Sequence, residues 1–238
     1  MSPSLRRLNI NETLTTAFRY YKMYLLVGTF LFRQVTNMKK GRKTRESLIQ
    51  AAAKLARVKG FARTSVQEVM DEAGAGKGSF YHHFESKDAL GLAVLERERA
   101  SFMEMLDSCF KEEKGLEALE CFFRVSLEVH GGKGLTGGCL WGNTALEMSD
   151  NNPAYAEPVD EVFHEWTGKL QQAIREAQAG GRIRRDLPDD GLAVLVVAAI
   201  EGGIMMSRLR KDETPLRSCL DMLRKLLLPA RKPATERG

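Results

Sequence analysis

Between Met38 and Asp88 three short helical segments are cut apart by Gly60 and Gly74, and this punctuation limits the fold of the 238-residue chain more than any other feature. Leu48, Ala52, Leu55 and Ala56 recur at three- and four-residue spacing behind Thr44, a residue suited to a helix N-cap. Gly60 follows as a stop and Phe61 turns the chain inward. A second start lies at Thr64-Ser65, where Gln67 and Glu68 each follow a hydroxyl by three residues, the capping-box spacing twice over. Val66, Val69 and Met70 supply the apolar face of that segment. A third segment runs from about Gly76 to His83. Ser86 then caps a long helix carrying Leu90, Val94, Phe102, Met105 and Leu106.

The remainder is also helical in pattern. Apolar runs span Leu116–Val129, Leu140–Met148, Tyr155–Ala179, Leu192–Leu209 and Leu216–Leu228, with Gly180-Gly181 and Pro229 as stops. Leu192–Leu209 is apolar enough to be buried on most sides. No run of alternating strands joined by turn dipeptides occurs, so the expected fold class is all-α. With 43% apolar and 28% charged residues the composition excludes a disordered, collagen-like or small disulfide-scaffold chain. The four cysteines, Cys109, Cys121, Cys139 and Cys219, form no CxxC pair. They fit a reduced, cytoplasmic protein, with Cys109, Cys121 and Cys219 as packing residues on helix faces.

The net charge of +5 divides unevenly. Residues 1–37 hold five Lys/Arg and one acid, residues 38–88 eleven and six, and residues 89–238 twenty and twenty-four. A basic head therefore precedes a mildly acidic body, the asymmetry of a nucleic-acid-binding module joined to a body with another task. The expected organisation is an extension of doubtful status over 1–37, a DNA-binding head over 38–88, a helical body over 89–228 and a loose tail over 229–238. Within the extension, the uncharged Met23–Phe32 is ten residues long, where a spanning helix needs about twenty. The expectation is an over-long gene assignment with its true start at Met38, or a weakly ordered extension. A membrane-surface anchor is the lesser alternative.

Three short helices in a basic segment, with a tight turn before the third, form a helix-turn-helix pattern. Ala73, Gly74 and Ala75 let the second and third helices pack closely. Lys77, Ser79, Tyr81 and His82 place donors near the start of a recognition helix, and Lys87 and the Thr64 hydroxyl stand where phosphates could be gripped. The stretch FARTSVQEVMDEAGAGKGSFYHHFESKDAL resembles the helix-turn-helix of the TetR family of transcriptional repressors, over residues 43 to about 95. That resemblance implies DNA contacts at Thr64, Ser65, Lys77, Tyr81, His82 and Lys87, and a small core of Phe61, Phe80 and Phe84. It also implies a homodimer on a palindromic operator, a small-molecule effector, no membrane partner and no cofactor. Gly76 departs from the family's frequent Ser or Pro, giving the recognition helix a looser start.

A second likeness lies in the body. Gly138-Cys139-Leu140 is similar to the setting of a reactive cysteine in the electrophile-responsive branch of that family. Cys139 would open a helix with Lys133 nearby, and both favour thiolate; the alternative is a small buried hydrophobe. The resemblance implies a ligand pocket among the middle helices, with Phe102, Trp141 and Trp166 as first candidates among the aromatic and sulfur residues. The last two apolar helices would pair with their mates in a four-helix interface, helped by Gly202-Gly203. The rival reading is a small all-α enzyme using Cys139, or a dinucleotide at Gly132–Gly137, which matches GxGxxG. No nucleophile, base and orienter come together in the sequence to favour it, and the four histidines show no metal-ligand spacing.

Overall fold

A computed structural model describes residues 40–132 and 135–228. The expectations for the extension, the tail and Lys133 fall outside the described residues. Regular structure among the described residues is helical throughout: α1 (Lys40–Lys59), α2 (Val66–Ala73), α3 (Lys77–His83), α4 (Lys87–Phe110), α5 (Gly115–His130), α6 (Leu140–Met148), a 3-10 turn (Pro153–Tyr155), α7 (Ala156–Ala179), α8 (Asp189–Arg210) and α9 (Thr214–Leu227). The chain divides into two compact units, 1–47 and 48–238. The described part of the first is the opening of α1, where Ser47 Oγ donates to the Lys43 carbonyl at 3.0 Å. Thr44 lies inside this helix and is not its cap.

In the second unit the expected boundaries hold to within a few residues because their chemistry is local. Gly60 and Gly74 adopt left-handed backbone at φ +85° and +62°, which a glycine enters without strain. Ser65 caps α2 in a reciprocal box: its Oγ accepts from the Glu68 amide at 3.3 Å, and its own amide donates to the Glu68 carboxylate at 2.9 Å. Ser86 caps α4 through the Ala89 amide at 3.0 Å. Gly76 begins α3 with no side-chain cap, as its lack of a side chain requires.

Leu48, Ile49, Ala52 and Ala56 of α1 are buried, as are Phe61, Val69, Phe80 and Phe84. The expected three-phenylalanine core is present, with the Phe80 and Phe84 rings 6.0 Å apart and Phe61 set 5.4 Å from Tyr155. In the body α7 packs against α4, α5 and α8, and α8 packs against α9.

Three expectations are corrected here. Cys109 and Cys121 are neither separate packing residues nor the reduced thiols expected from the cysteine pattern: they join the end of α4 to α5 as a disulfide, with their Cα atoms 5.5 Å apart. Helix α8 is buried on one face only. Leu192, Ala193, Val196, Ile200 and Ile204 face the core, whereas Val194, Met205 and Leu209 are 59%, 61% and 81% exposed. By length and composition α8 could cross a membrane, but its core-facing stripe is packed inside the chain, as in a core helix. Gly203 serves packing within the chain, because a Cβ there would lie 3.0 Å from Leu216 Cα on α9, while a Cβ on Gly202 would meet open space.

His130 ends α5. Burial, and then the positive charge of Arg57, lower its pKa from 6.5 to about 4. It is neutral in the folded chain where the unfolded chain would protonate it. Stability is therefore full above about pH 6.5 and falls as pH drops towards 4, by on the order of 1–3 kcal/mol. Urea unfolding at pH 7.5 and pH 5 is expected to show this loss, and His130→Gln is expected to remove most of the difference.

Candidate nucleic-acid interface

Helix α3, the expected recognition helix, has seven residues, too few to persist alone in water. It is held by one side chain, Phe80, which is fully buried. With Phe80 inward, the helical repeat turns Lys77, Gly78, Tyr81 and His82 to solvent. Tyr81 is 53% exposed, and its ring lies edge-on to Phe80 at 5.2 Å. Ser79 is half-buried. Lys77 and Tyr81 have no hydrogen-bond partner among the described residues, so their donors are uncommitted.

The flanking candidates are placed differently. Thr64 is buried, and its Oγ1 donates to the Gly60 carbonyl at 2.7 Å. This overturns the reading of that hydroxyl as a phosphate grip, since burial in the turn removes it from any ligand surface. Ser65 is exposed but spends its hydroxyl on the capping box, donating to Glu68 Oε2 at 2.7 Å. Lys87 Nζ donates to the Ala62 carbonyl at 2.8 Å, leaving two of its three N–H groups free.

Acids neutralise part of the head's positive charge. Lys54 pairs with Glu72 at 2.5 Å, and Lys59 pairs with Glu68. The Lys59 ammonium, with the Ser65 amide and hydroxyl, holds the Glu68 pKa down at about 2. Arg63 was not singled out by the sequence. It is exposed and anchored by Nε to the Lys59 carbonyl at 3.2 Å, so the rest of its guanidinium faces outward beside Ser65. An arginine just ahead of an N-cap in a basic segment was the available signal.

In the body, the three first-ranked rings come together. Phe102 lies 5.9 Å from Trp141 and 5.4 Å from Trp166. Phe122 and Phe163 complete the cluster, each 5.8 Å from Trp166. Trp141 and Trp166 are buried, and the indole N–H of Trp166 is buried without an acceptor. Such an orphan donor carries a desolvation penalty that an incoming acceptor would relieve.

Cys139 stands at the N-cap of α6 as expected, but it is buried. Burial first, and then the Glu201 carboxylate, push its thiol pKa well up, against a smaller opposing pull from the Gly142 and Trp141 amides. The expected thiolate is thus corrected: the helix N-terminus acts on this sulfur but loses to desolvation and a like charge. Burial also raises the pKa of Glu201. The segment ahead of Gly132 is helix α5 rather than a strand, so the GxGxxG match lacks the strand-turn-helix that would make it a dinucleotide loop.

Comparison with known proteins agrees with this geometry. Residues 48–94 match the family model for bacterial regulatory proteins of the tetR family, and residues 115–223 match that for the tetracyclin repressor-like C-terminal domain. The chain is 30% identical over 188 residues to the HTH-type transcriptional repressor DhaR of Mycobacterium sp. strain GP1, covering 78% of this chain and 93% of that one. It is 33% identical over 175 residues to the transcriptional regulator AcuR of Cereibacter sphaeroides, covering 73% and 80%. A crystal structure of a regulatory protein TetR from Rhodobacter sphaeroides superposes with a TM-score of 0.72 at 31% identity, covering 77% of this chain and 98% of that one. These matches, over the short helix α3 with its exposed donors and over the helical body, identify the chain as a member of the TetR family and a DNA-binding transcriptional regulator.

Proposed function

We propose that this regulator represses transcription as a homodimer on a palindromic operator, in the cytoplasm, and releases the operator when a small molecule or electrophile occupies its body. The observation that carries the reading is α3, whose outward Lys77, Tyr81 and His82 are fixed by Phe80 on a packed core. A seven-residue helix presenting donors of this kind suits the major groove. Ser65 is exposed as the cap of α2, and Lys87 can hold Ala62 and still reach a phosphate.

The dimer reading is supported by the outer face of α8 and α9. Val194, Leu195, Met205 and Leu209, with Met222 on α9, leave an apolar surface open, and surfaces of this kind mark association sites. A two-fold pairing through it would set two copies of α3 on successive major grooves, about 34–36 Å apart. The effector reading is supported by the cluster of Phe102, Trp141 and Trp166 with its orphan indole donor. A ligand that prefers a DNA-incompetent arrangement shifts the population by its differential affinity and no more.

Footprinting tests the core of the proposal: protection of a short palindrome is expected, and protection without a defined site would favour a nucleoid-type binder. Lys87→Ala is expected to weaken specific and unrelated duplexes about equally and to lower the salt slope by about one. An unchanged slope would make Lys87 only a tie for Ala62. Ser65→Ala is expected to cost about 1 kcal/mol through its cap, lowering Tm by roughly 2–4 °C.

For Cys139, operator binding is measured before and after N-ethylmaleimide in the natural chain and in Cys139→Ser. Slow release in the natural chain alone is expected, since the thiol is held protonated. Equal behaviour of the two chains would leave Cys139 a packing residue and favour a non-covalent ligand at the aromatic cluster.

A further inference from the structure

The turn joining α1 to α2 is gripped from the body by two opposite charges. Glu147, near the end of α6, accepts two backbone hydrogen bonds: from the Phe61 amide to Oε2 at 2.8 Å and from the Ala62 amide to Oε1 at 3.0 Å. Arg208, near the end of α8, donates to the Val58 carbonyl at 3.3 Å. The signs match the groups held. Val58 lies in the last turn of α1, where unpaired carbonyls carry partial negative charge, and the Phe61 and Ala62 N–H groups carry the partial positive charge of any amide donor. Charge-assisted bonds of this kind are stronger than neutral ones.

The carboxylate is also fitted sterically. A Cβ on Gly60 would lie 2.2 Å from Glu147 Oε1, so only glycine lets the turn close onto it. The carbonyls of the same turn are held by the head itself, through Thr64 on Gly60 and Lys87 on Ala62. The turn is therefore shared: head side chains take the Gly60 and Ala62 carbonyls, and the body takes the Val58 carbonyl through Arg208 and the Phe61 and Ala62 amides through Glu147.

Both grips lead back to places where the body can change state. Helix α6 has nine residues, a rod of about 13 Å. Its first turn bears Cys139 at the cap and Trp141 against Phe102, and its last turn bears Glu147. Arg208 also donates to the Gly137 carbonyl at 3.1 Å and to Asn143 Oδ1 at 3.4 Å, tying the end of α8 to the start of α6. A displacement of α6 at the aromatic cluster would thus move the carboxylate that sets the 58–62 turn, and α8 would register the same movement.

We propose that Glu147 and Arg208 are the positioning residues through which the helical body sets the orientation of the DNA-binding head. The transmission part of this rests on the reading that the body answers a ligand; the orientation part does not. Neither residue touches DNA in this proposal. They act through Phe61, Ala62 and Val58.

The test uses the full chain and a duplex that it selects from a random-sequence pool. Binding to this duplex and to an unrelated one is measured for the natural chain, Glu147→Ala, Glu147→Gln, Arg208→Ala and Arg208→Lys, each with and without N-ethylmaleimide. Thermal unfolding and circular dichroism of each variant accompany the binding data. Glu147→Ala and Arg208→Ala are expected to lose about 5–150-fold in affinity for the selected duplex, with binding to the unrelated duplex within about twofold. Glu147→Gln and Arg208→Lys, which keep an acceptor and a donor, are expected to recover part of the loss. In the Ala variants the response to N-ethylmaleimide is expected to shrink towards none.

Unchanged discrimination between the two duplexes in Glu147→Ala would overturn the proposal. So would an equal loss on both duplexes with a fall in helicity, which marks a merely structural role. If the natural chain ignores N-ethylmaleimide while Glu147→Ala still loses discrimination, the electrophile reading fails and the orienting role stands.

Discussion

The burial of Phe80 is the contact on which the exposed face of α3 depends. Seven residues beginning at a glycine that offers no side-chain cap give α3 almost no stability of its own. Removing one large ring from water, beside Phe84, supplies what local propensity lacks. The same contact fixes rotation. Once Phe80 points inward, the positions of Lys77, Tyr81 and His82 follow from 3.6 residues per turn. Donors mounted in this way keep a fixed direction, because their helix cannot roll without exposing the ring.

The body gathers its large rings into one place. Phe102, Trp141, Trp166 and Phe163 make a packed aromatic centre, and within it the Trp166 N–H has no acceptor. A core built only for stability seldom leaves an indole donor unpaired. Cys139 shows the reverse balance. Its position at a helix start favours the anion, yet desolvation and Glu201 keep the proton on sulfur. The electrostatics of one residue cannot be judged from its place on a helix when a carboxylate from another helix stands beside it.

Helix α8 joins the parts. One face packs on α7 and α9, the opposite face leaves Val194, Met205 and Leu209 in the open, and its last turns send Arg208 to the Val58 carbonyl. The members of the head and the body share one compact unit from residue 48 onward. The change of charge sign near residue 88 therefore marks a change of task rather than a break in the packing.

Much of the architecture was legible in the residues because it is locally encoded. Gly60 and Gly74 stop helices through backbone freedom, and Ser65 with Glu68 or Ser86 with Ala89 start them through neighbours three residues away. The phenylalanine core and the outward donors of α3 follow from the same short-range period, and the family motif lies wholly within that stretch. What spans long sequence separations was decided only by the tertiary structure. The pairing of Cys109 with Cys121, the burial of the Thr64 hydroxyl and the one-sided exposure of α8 all depend on which helices meet. So do the protonated thiol of Cys139 beside Glu201 and the hold of Glu147 on two amides 85 and 86 residues away. Periodicity tells which side of a helix is apolar, but desolvation, hydrogen bonding and charge act through space, and only the packed chain brings those partners within reach.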